Sequence, residues 1–202
     1  MKRHLARGFT LIEVLVALAI FGVLSALAYM TLGQTLNNSD MLTERMDRLQ
    51  SIQRTVNYLS TELLQAAPRP IRADLGGEPA LRSSFGSDFA LELTHGGWPN
   101  SAGVPRGTQQ RSAYRIEDDE LVRYHWPVLD RTASTFPIAT VLMDEIDSLT
   151  FRFLQANGDW TDQWPPTGSG TTSVTSVLPR AVEITLVLPD EGELIRVVEV
   201  SP

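Results

Sequence analysis

Apolar and polar positions divide this chain of 202 residues into three zones with different periods. From Phe9 to Leu32 the sequence is almost continuously apolar, and Glu13 is its only formal charge. At about 1.5 Å per residue such a run makes a helix of roughly 36 Å, enough to cross a hydrocarbon core of about 30 Å. Beyond the polar stretch Asn37-Asn38-Ser39-Asp40, apolar residues recur at Leu42, Met46, Leu49, Ile52, Val56, Leu59 and Leu63, three or four apart. That spacing predicts an amphipathic helix whose stripe lies on a sheet. A coiled-coil seam is the competing reading, over a stretch of only about three heptads. The pattern leaves open whether one helix runs through Asn37 to Asp40. Pro68 and Pro70 end it, because proline lacks the helical donor and turns the preceding residue out of the α region.

The third zone has a period of two. Phe89, Leu91 and Leu93 alternate with Ala90 and Glu92, and Leu149, Phe151 and Phe153 alternate with Thr150 and Arg152. Tyr114 and Ile116 lead through an Asp118-Asp119 turn to Val122, Tyr124 and Trp126. Val182, Ile184, Leu186 and Leu188 reach Pro189-Asp190-Glu191-Gly192 and return from Leu194 to Val200, which predicts a closing hairpin. Two stretches without periodicity, Gly96 to Gln110 and Pro165 to Ser176, are rich in Gly, Pro, Ser and Thr and read as loops. One long helix followed by turn-connected strands predicts an α+β chain, the helix packed on antiparallel sheet. The organisation expected is a membrane helix at 9–32, an amphipathic helix at 33–67 and a β-rich head at 68–202.

Charge sharpens this picture. The chain carries 24 acidic against 17 basic residues, a formal net charge of −7. Loss of residues 1 to 8 would remove three of those 17, Lys2, Arg3 and Arg7, and deepen the net charge to −10. Such an acidic chain is a poor partner for a phosphate backbone, so no nucleic acid is expected. With no cysteine, disulfides, thiolate zinc sites and cysteine nucleophiles are excluded. The basic head Lys2 to Gly8 predicts a cytoplasmic N-terminus and everything after Leu32 on the far side of the membrane. The apolar run is longer than the core of an ordinary secretory signal, and its small residues are scattered, so removal of the whole segment is the weaker reading.

Glu13 is the feature that a simple anchor does not explain. A carboxylate inside a lipid span costs about 2.5 to 3.5 kcal/mol at the centre and somewhat less near the end. Snorkelling to the interface is one answer. Cleavage between Gly8 and Phe9 is another, because it creates an α-amino cation four residues before Glu13 at the same membrane face. A neighbouring subunit could then offer its amine to this carboxylate, neutralising both charges and setting the stagger between helices.

The run Arg7-Gly8-Phe9-Thr10-Leu11-Ile12-Glu13-Val14-Leu15-Val16-Ala17 resembles the type IV prepilin signal shared by pilins and the pseudopilins of type II secretion. The resemblance implies a prepilin peptidase that cuts after Gly8, so that residues 1 to 8 are a leader, and methylates the amine of Phe9. It also implies that Glu13 directs assembly and that the fold is pilin-like. Later residues are similar to the J-type minor pseudopilins of type II secretion: Glu62 to Arg72, Gln110-Arg111 with Tyr114, Leu129-Asp130-Arg131, Trp160 with Trp164-Pro165, and Leu178 to Glu183. That resemblance implies a structural subunit at the tip of a pseudopilus, helping to export folded proteins across the outer membrane. It implies an inner-membrane location with a periplasmic head. The expected partners are I-type, K-type and H-type minor pseudopilins, the pseudopilus, the peptidase and inner-membrane lipid. A minor pilin of a surface type IV pilus would carry the same N-terminal signal and is the alternative.

Residues with catalytic chemistry do not form a recognisable set. Of His4, His95 and His125, the first falls in the expected leader, and two imidazoles do not build a histidine-rich metal site. No serine sits in a Gly-x-Ser-x-Gly elbow, and Gly168-Ser169-Gly170 lacks the lysine of a phosphate loop. The acidic groups Asp118-Asp119-Glu120, Asp144-Glu145 with Asp147, and Asp190-Glu191 with Glu193 lack EF-hand spacing and read as solvated turns. A membrane-tethered hydrolase therefore has no support; no enzyme activity, cofactor or metal is expected.

Overall fold

In the computed structural model, a single helix, α1 (Leu11–Leu64), takes up both the apolar run and the amphipathic stripe. The structure describes residues 10–73, 76–100, 103, 105–132, 134–166 and 174–200, without the side chains of Leu36, Asn37, Ala73 and Val174. Asn38, Ser39 and Asp40 are helical, so the polar stretch does not break α1. The reason is energetic: Asn, Ser and Asp cost only up to about 0.7 kcal/mol each relative to Ala in a helix, far less than proline. Thr31, Thr35 and Thr43 also fit, because their hydroxyls donate to helical carbonyls of Ala28, Thr31 and Ser39 at 2.9 Å each.

The chain divides into two compact units between Gln50 and Ser51. In the first, the helix is exposed throughout its apolar run. The second holds the strands β1 (Ile71–Ala73), β2 (Gly76–Glu78), β3 (Leu81–Arg82), β4 (Leu91–His95), β5 (Gln110–Glu117), β6 (Glu120–His125), β7 (Ile138–Met143), β8 (Ser148–Leu154), β9 (Trp160–Thr161), β10 (Ala181–Leu188) and β11 (Gly192–Glu199). They form a five-stranded sheet, β3-β4-β5-β6-β7, a four-stranded sheet, β11-β10-β8-β9, and the ribbon β1-β2; every pairing is antiparallel. One core joins Ile52, Leu59 and Leu63 of α1 to Leu91, Leu93, Tyr114 and Leu121 of the larger sheet and to Phe151, Phe153, Ile184 and Leu186 of the smaller.

The predicted stripe on α1 is only half used within the chain. Ile52, Leu59 and Leu63 are buried, whereas Leu42 and Met46 are about two-thirds exposed at 65% and 66%. Helical spacing sets which side of a helix is apolar, but not how far along that side the sheet extends. The alternation in β8 and the β10-β11 hairpin match the sequence pattern. The turn between β5 and β6 places Asp118 and Asp119 at φ 48° and 62°, the left-handed pair that a two-residue hairpin requires. β4 departs from the expected pattern: all five of its residues are buried, Glu92 included. β7, β9 and the short strands β1 to β3 carry no clear alternation and were not expected from it. The loop expected to run to Gln110 ends one residue earlier, since Gln110 opens β5.

Candidate functional site

The start of α1 is built around Thr10 and Glu13. The Thr10 N–H and hydroxyl each donate to Glu13 Oε2 at 2.9 Å, and the Glu13 N–H points back to Thr10 Oγ1 at 3.4 Å. This is a reciprocal capping box, which satisfies otherwise orphaned donors of the first helical turn. The Thr10-x-x-Glu13 spacing is its sequence signature, hidden by the membrane reading of the same residues. Gly8 and Phe9, the expected cleavage junction and methylation site, lie outside the described residues. Among the described residues α1 is the one helix long and apolar enough to cross a membrane, with a mean hydropathy of 2.5 over 18 residues.

At the other end of α1, Glu62 follows Leu59 by three residues and so points into the core, where it is 5% exposed. The pairing of β5 with β6 sets Tyr114 opposite Arg123 and Ser112 opposite His125, on the sheet face that meets Glu62. Arg123 donates to Glu62 Oε1 from Nε at 2.9 Å and from Nη2 at 2.6 Å. The Tyr114 hydroxyl donates to Glu62 Oε2. Burial, reinforced by this carboxylate, pushes the Tyr114 hydroxyl well above its ordinary range, so it stays a donor. His95 Nδ1 lies 2.8 Å from the Gly96 carbonyl, which only accepts, so this nitrogen carries the proton. Its Nε2, 2.8 Å from Ser112 Oγ, then accepts from that hydroxyl. Burial lowers the His95 pKa despite the nearby Glu62, which keeps the ring neutral.

The opposite face of the same sheet hides a second charged cluster. Glu92 of β4 is fully buried and meets Arg82, Arg111 at 3.4 Å and Arg131 at 3.4 Å. Arg111 Nη1 also donates to the carbonyls of Pro79 and Ala80, both at 2.9 Å, tying the approach to β3 onto β5. Arg131 reaches Glu78 at 2.7 Å, and its guanidinium lies 4.0 Å from the Trp126 ring centroid. Burial alone would raise the Glu92 pKa, but Arg111, with Arg82 and Arg131, outweighs it and holds the carboxyl below its ordinary range. Neither cluster has an exposed nucleophile beside a base. Among the described residues no three His, Cys, Asp or Glu gather as a metal site. The two clusters fix the head on its helix and brace its sheet.

Sequence reasoning names Glu62, Arg111, Tyr114 and Arg131 only as points of resemblance and assigns Arg123 no role. The signal for the first cluster was an acid on the apolar side of a helix, three residues from Leu59. Its partner is 61 residues away, and no local pattern points to it.

Comparison with known proteins separates the branches that share the N-terminal signal. Residues 3–29 match the prokaryotic N-terminal methylation motif, and residues 30–200 match the family described as type II secretion system (T2SS), protein J. The chain is 30% identical over 197 residues to type II secretion system protein J of Klebsiella pneumoniae, covering 96% of this chain and 95% of that one. It is 33% identical over 204 residues to the Vibrio cholerae protein J, covering 97% and 88% respectively. A chain from the GspK-GspI-GspJ complex of the enterotoxigenic Escherichia coli type 2 secretion system superposes with a TM-score of 0.65 at 31% identity, over 77% of this chain and 99% of that one. A pilin-like helix with antiparallel sheets, a methylation motif and a head matched almost end to end lead to one conclusion: the chain belongs to the protein J family of type II secretion, the minor pseudopilins.

Proposed function

We propose that the chain is held in the inner membrane by residues 9–32, with its basic N-terminus in the cytoplasm and residues 68–202 in the periplasm, and joins the tip of a pseudopilus. The observation that carries this reading is the helix itself: Leu11, Leu15, Phe21 and Leu27 are among its many exposed large apolar side chains, on a chain whose head has a complete core. Lipid and neighbouring helices are the surroundings such a surface fits. The methylation motif supports cutting after Gly8 and methylation of Phe9 by a prepilin peptidase.

Glu13 then acts as the assembly contact. The capping box holds its carboxylate at the mouth of the helix, with Thr10 as a temporary donor. An incoming α-amine from an adjacent subunit replaces the Thr10 hydroxyl and pairs with a charge that lipid would otherwise penalise. I-type and K-type pseudopilins, and an H-type subunit, are the neighbours proposed, supported by the solved GspK-GspI-GspJ complex of the E. coli relative. The role is mechanical rather than catalytic: a structural subunit supporting export of folded proteins.

Intact mass of the protein from cells with and without a prepilin peptidase tests the processing. Loss of residues 1–8 and gain of one methyl group, only when the peptidase is present, is the expected result. Co-purification with I-type and K-type subunits tests the partnership. A chain that retains Met1, or that purifies free of both partners, would overturn the reading.

A further inference from the structure

The edge of the four-stranded sheet is β11, and β10 is its one hydrogen-bonded neighbour among the described residues. Its eight residues pair with β10 in unbroken register, with neither proline nor bulge, so the far side offers a long row of unpaired backbone donors and acceptors. Every residue of the strand except Val198 is exposed, including Ile195 at 59% and Val197 at 50%. Such an edge is a template for another strand, and folded chains ordinarily shorten, bend or cover it. Three charges punctuate it at equal intervals, Glu193, Arg196 and Glu199. Across the β10 ladder they face Val187, Ile184 and Ala181, and none makes an ion pair with a described residue. The other long edge, β7, carries no charge that could select a partner, and its Leu142 carbonyl already accepts from the Thr55 hydroxyl.

Strand geometry decides which occupant fits. In a continuous antiparallel sheet, directly opposed residues share a face, and neighbours on one face are two residues apart. Arg196 shares its face with Leu194 and Val198, whereas Glu193 and Glu199 lie on the other face with Ile195 and Val197. Two copies of β11 related by a two-fold axis therefore have no register in which Arg196 meets either acid. The register centred on Arg196 sets that residue against itself and Glu193 against Glu199, and like charges directly opposed are destabilising. The layout disfavours a second copy, yet it leaves apolar side chains and an open ladder for a strand of complementary order. We propose that β11 is the docking edge for an extended segment of a different protein, which adds to this sheet as a fifth strand. That segment carries an acid opposite Arg196, a base three residues away on either side against Glu193 and Glu199, and β-branched residues against Ile195 and Val197. The backbone ladder supplies the attraction and the three cross-strand pairs the selection. The site goes beyond the assembly contact at Glu13, and its failure would leave that contact untouched.

The test uses the full chain in detergent micelles and two blocked peptides of equal composition and net charge, Lys-Thr-Val-Glu-Val-Thr-Lys and Lys-Thr-Val-Lys-Val-Thr-Glu, titrated by calorimetry at physiological ionic strength. The first matches all three charges of β11 in either strand direction, and the second sets like charges at two of them. The first is expected to bind about tenfold more tightly. Arg196→Glu, at an exposed position, is expected to bring the two to equal affinity, because it turns one match of the first peptide into a clash and one clash of the second into a match; its melting curve shows that the head is folded. Hydrogen exchange locates the peptide: saturation with the first is expected to slow exchange at 192–199 and to leave 138–143 unchanged. No saturable binding at millimolar peptide, equal affinity of the two peptides for the unaltered chain, a preference that survives Arg196→Glu, protection at β7 in place of β11, or protection of β11 on raising the concentration of the chain alone would each overturn the proposal.

Discussion

Arg123→Met removes the cation that meets Glu62 and leaves a carboxylate buried beneath α1. Three features of the structure set the size of the effect. Both partners are about 95% buried, two guanidinium nitrogens reach one carboxylate oxygen, and the remaining neighbours of that oxygen, Ser112 and His95, are uncharged. Breaking one member of such a pair costs about 3 to 5 kcal/mol, because the surviving charge stays desolvated. For a head of this size each kcal/mol lowers the melting temperature by about 2 to 4 °C, so a fall of roughly 6 to 20 °C is expected. Glu62→Leu is expected to cost a similar amount through the stranded arginine. The double variant Glu62→Leu with Arg123→Met is expected to recover most of the loss, since an apolar pair of similar volume is often as stable as a buried ion pair. Thermal melts of the full chain in micelles, followed by near-UV circular dichroism, measure all three variants. The exposed pair Arg69 and Asp130, 3.2 Å apart, is the comparison; its loss should cost at most about 1 kcal/mol. Single variants that melt with the wild type, or a double variant whose loss is the plain sum of the two, would refute the reasoning.

Four further outcomes follow from the same geometry. Glu13→Val should leave cleavage after Gly8 largely intact and reduce co-purification of partner pseudopilins; undiminished pull-down would count against the amine pairing. Leu59→Ala, at a fully buried position, should cost about 2 to 5 kcal/mol, while Leu49→Ala, on the exposed half of the stripe, should leave the melt of the isolated chain nearly unchanged; equal effects would mean that the sheet reaches further along α1. Gly97→Ala places a side chain at φ +72° and 1.6 Å from Gln65 Oε1, for a loss of about 1 to 2 kcal/mol, whereas Gly107→Ala faces open space and should be neutral. Stability should fall in two steps on acidification. His95 has a depressed folded pKa, so protonation of the unfolded chain penalises folding once pH drops below about 6.5. Glu92, also depressed, contributes stability that is present above about pH 4.5 and is lost below it as pH falls through the folded value. Denaturant melts across pH 3 to 8 follow both steps, and His95→Gln should weaken the upper one; an unchanged profile would speak against a neutral buried imidazole.

Local periodicity and motif chemistry carried much of this protein. The apolar run that opens α1, the three-and-four spacing ahead of Pro68, the alternation in β8 and the hairpin of β10 and β11 are properties of neighbouring residues, and each is legible because helix and strand repeat over a few positions. The N-terminal signal is likewise contiguous, and with the later points of resemblance it led to the family. Tertiary structure decided what those repeats leave free. It set which half of the amphipathic stripe is covered, put Glu92 inside a strand face that alternation assigns to solvent, and paired Glu62 with an arginine 61 residues later. It also brought Gln110, His125 and Arg54 to one cleft from two strands and a helix. Those placements depend on the register between β5 and β6 and on where α1 lands, and both are settled by the packing of the whole core. A side chain's burial is a property of its distant neighbours, and no window along the chain contains them.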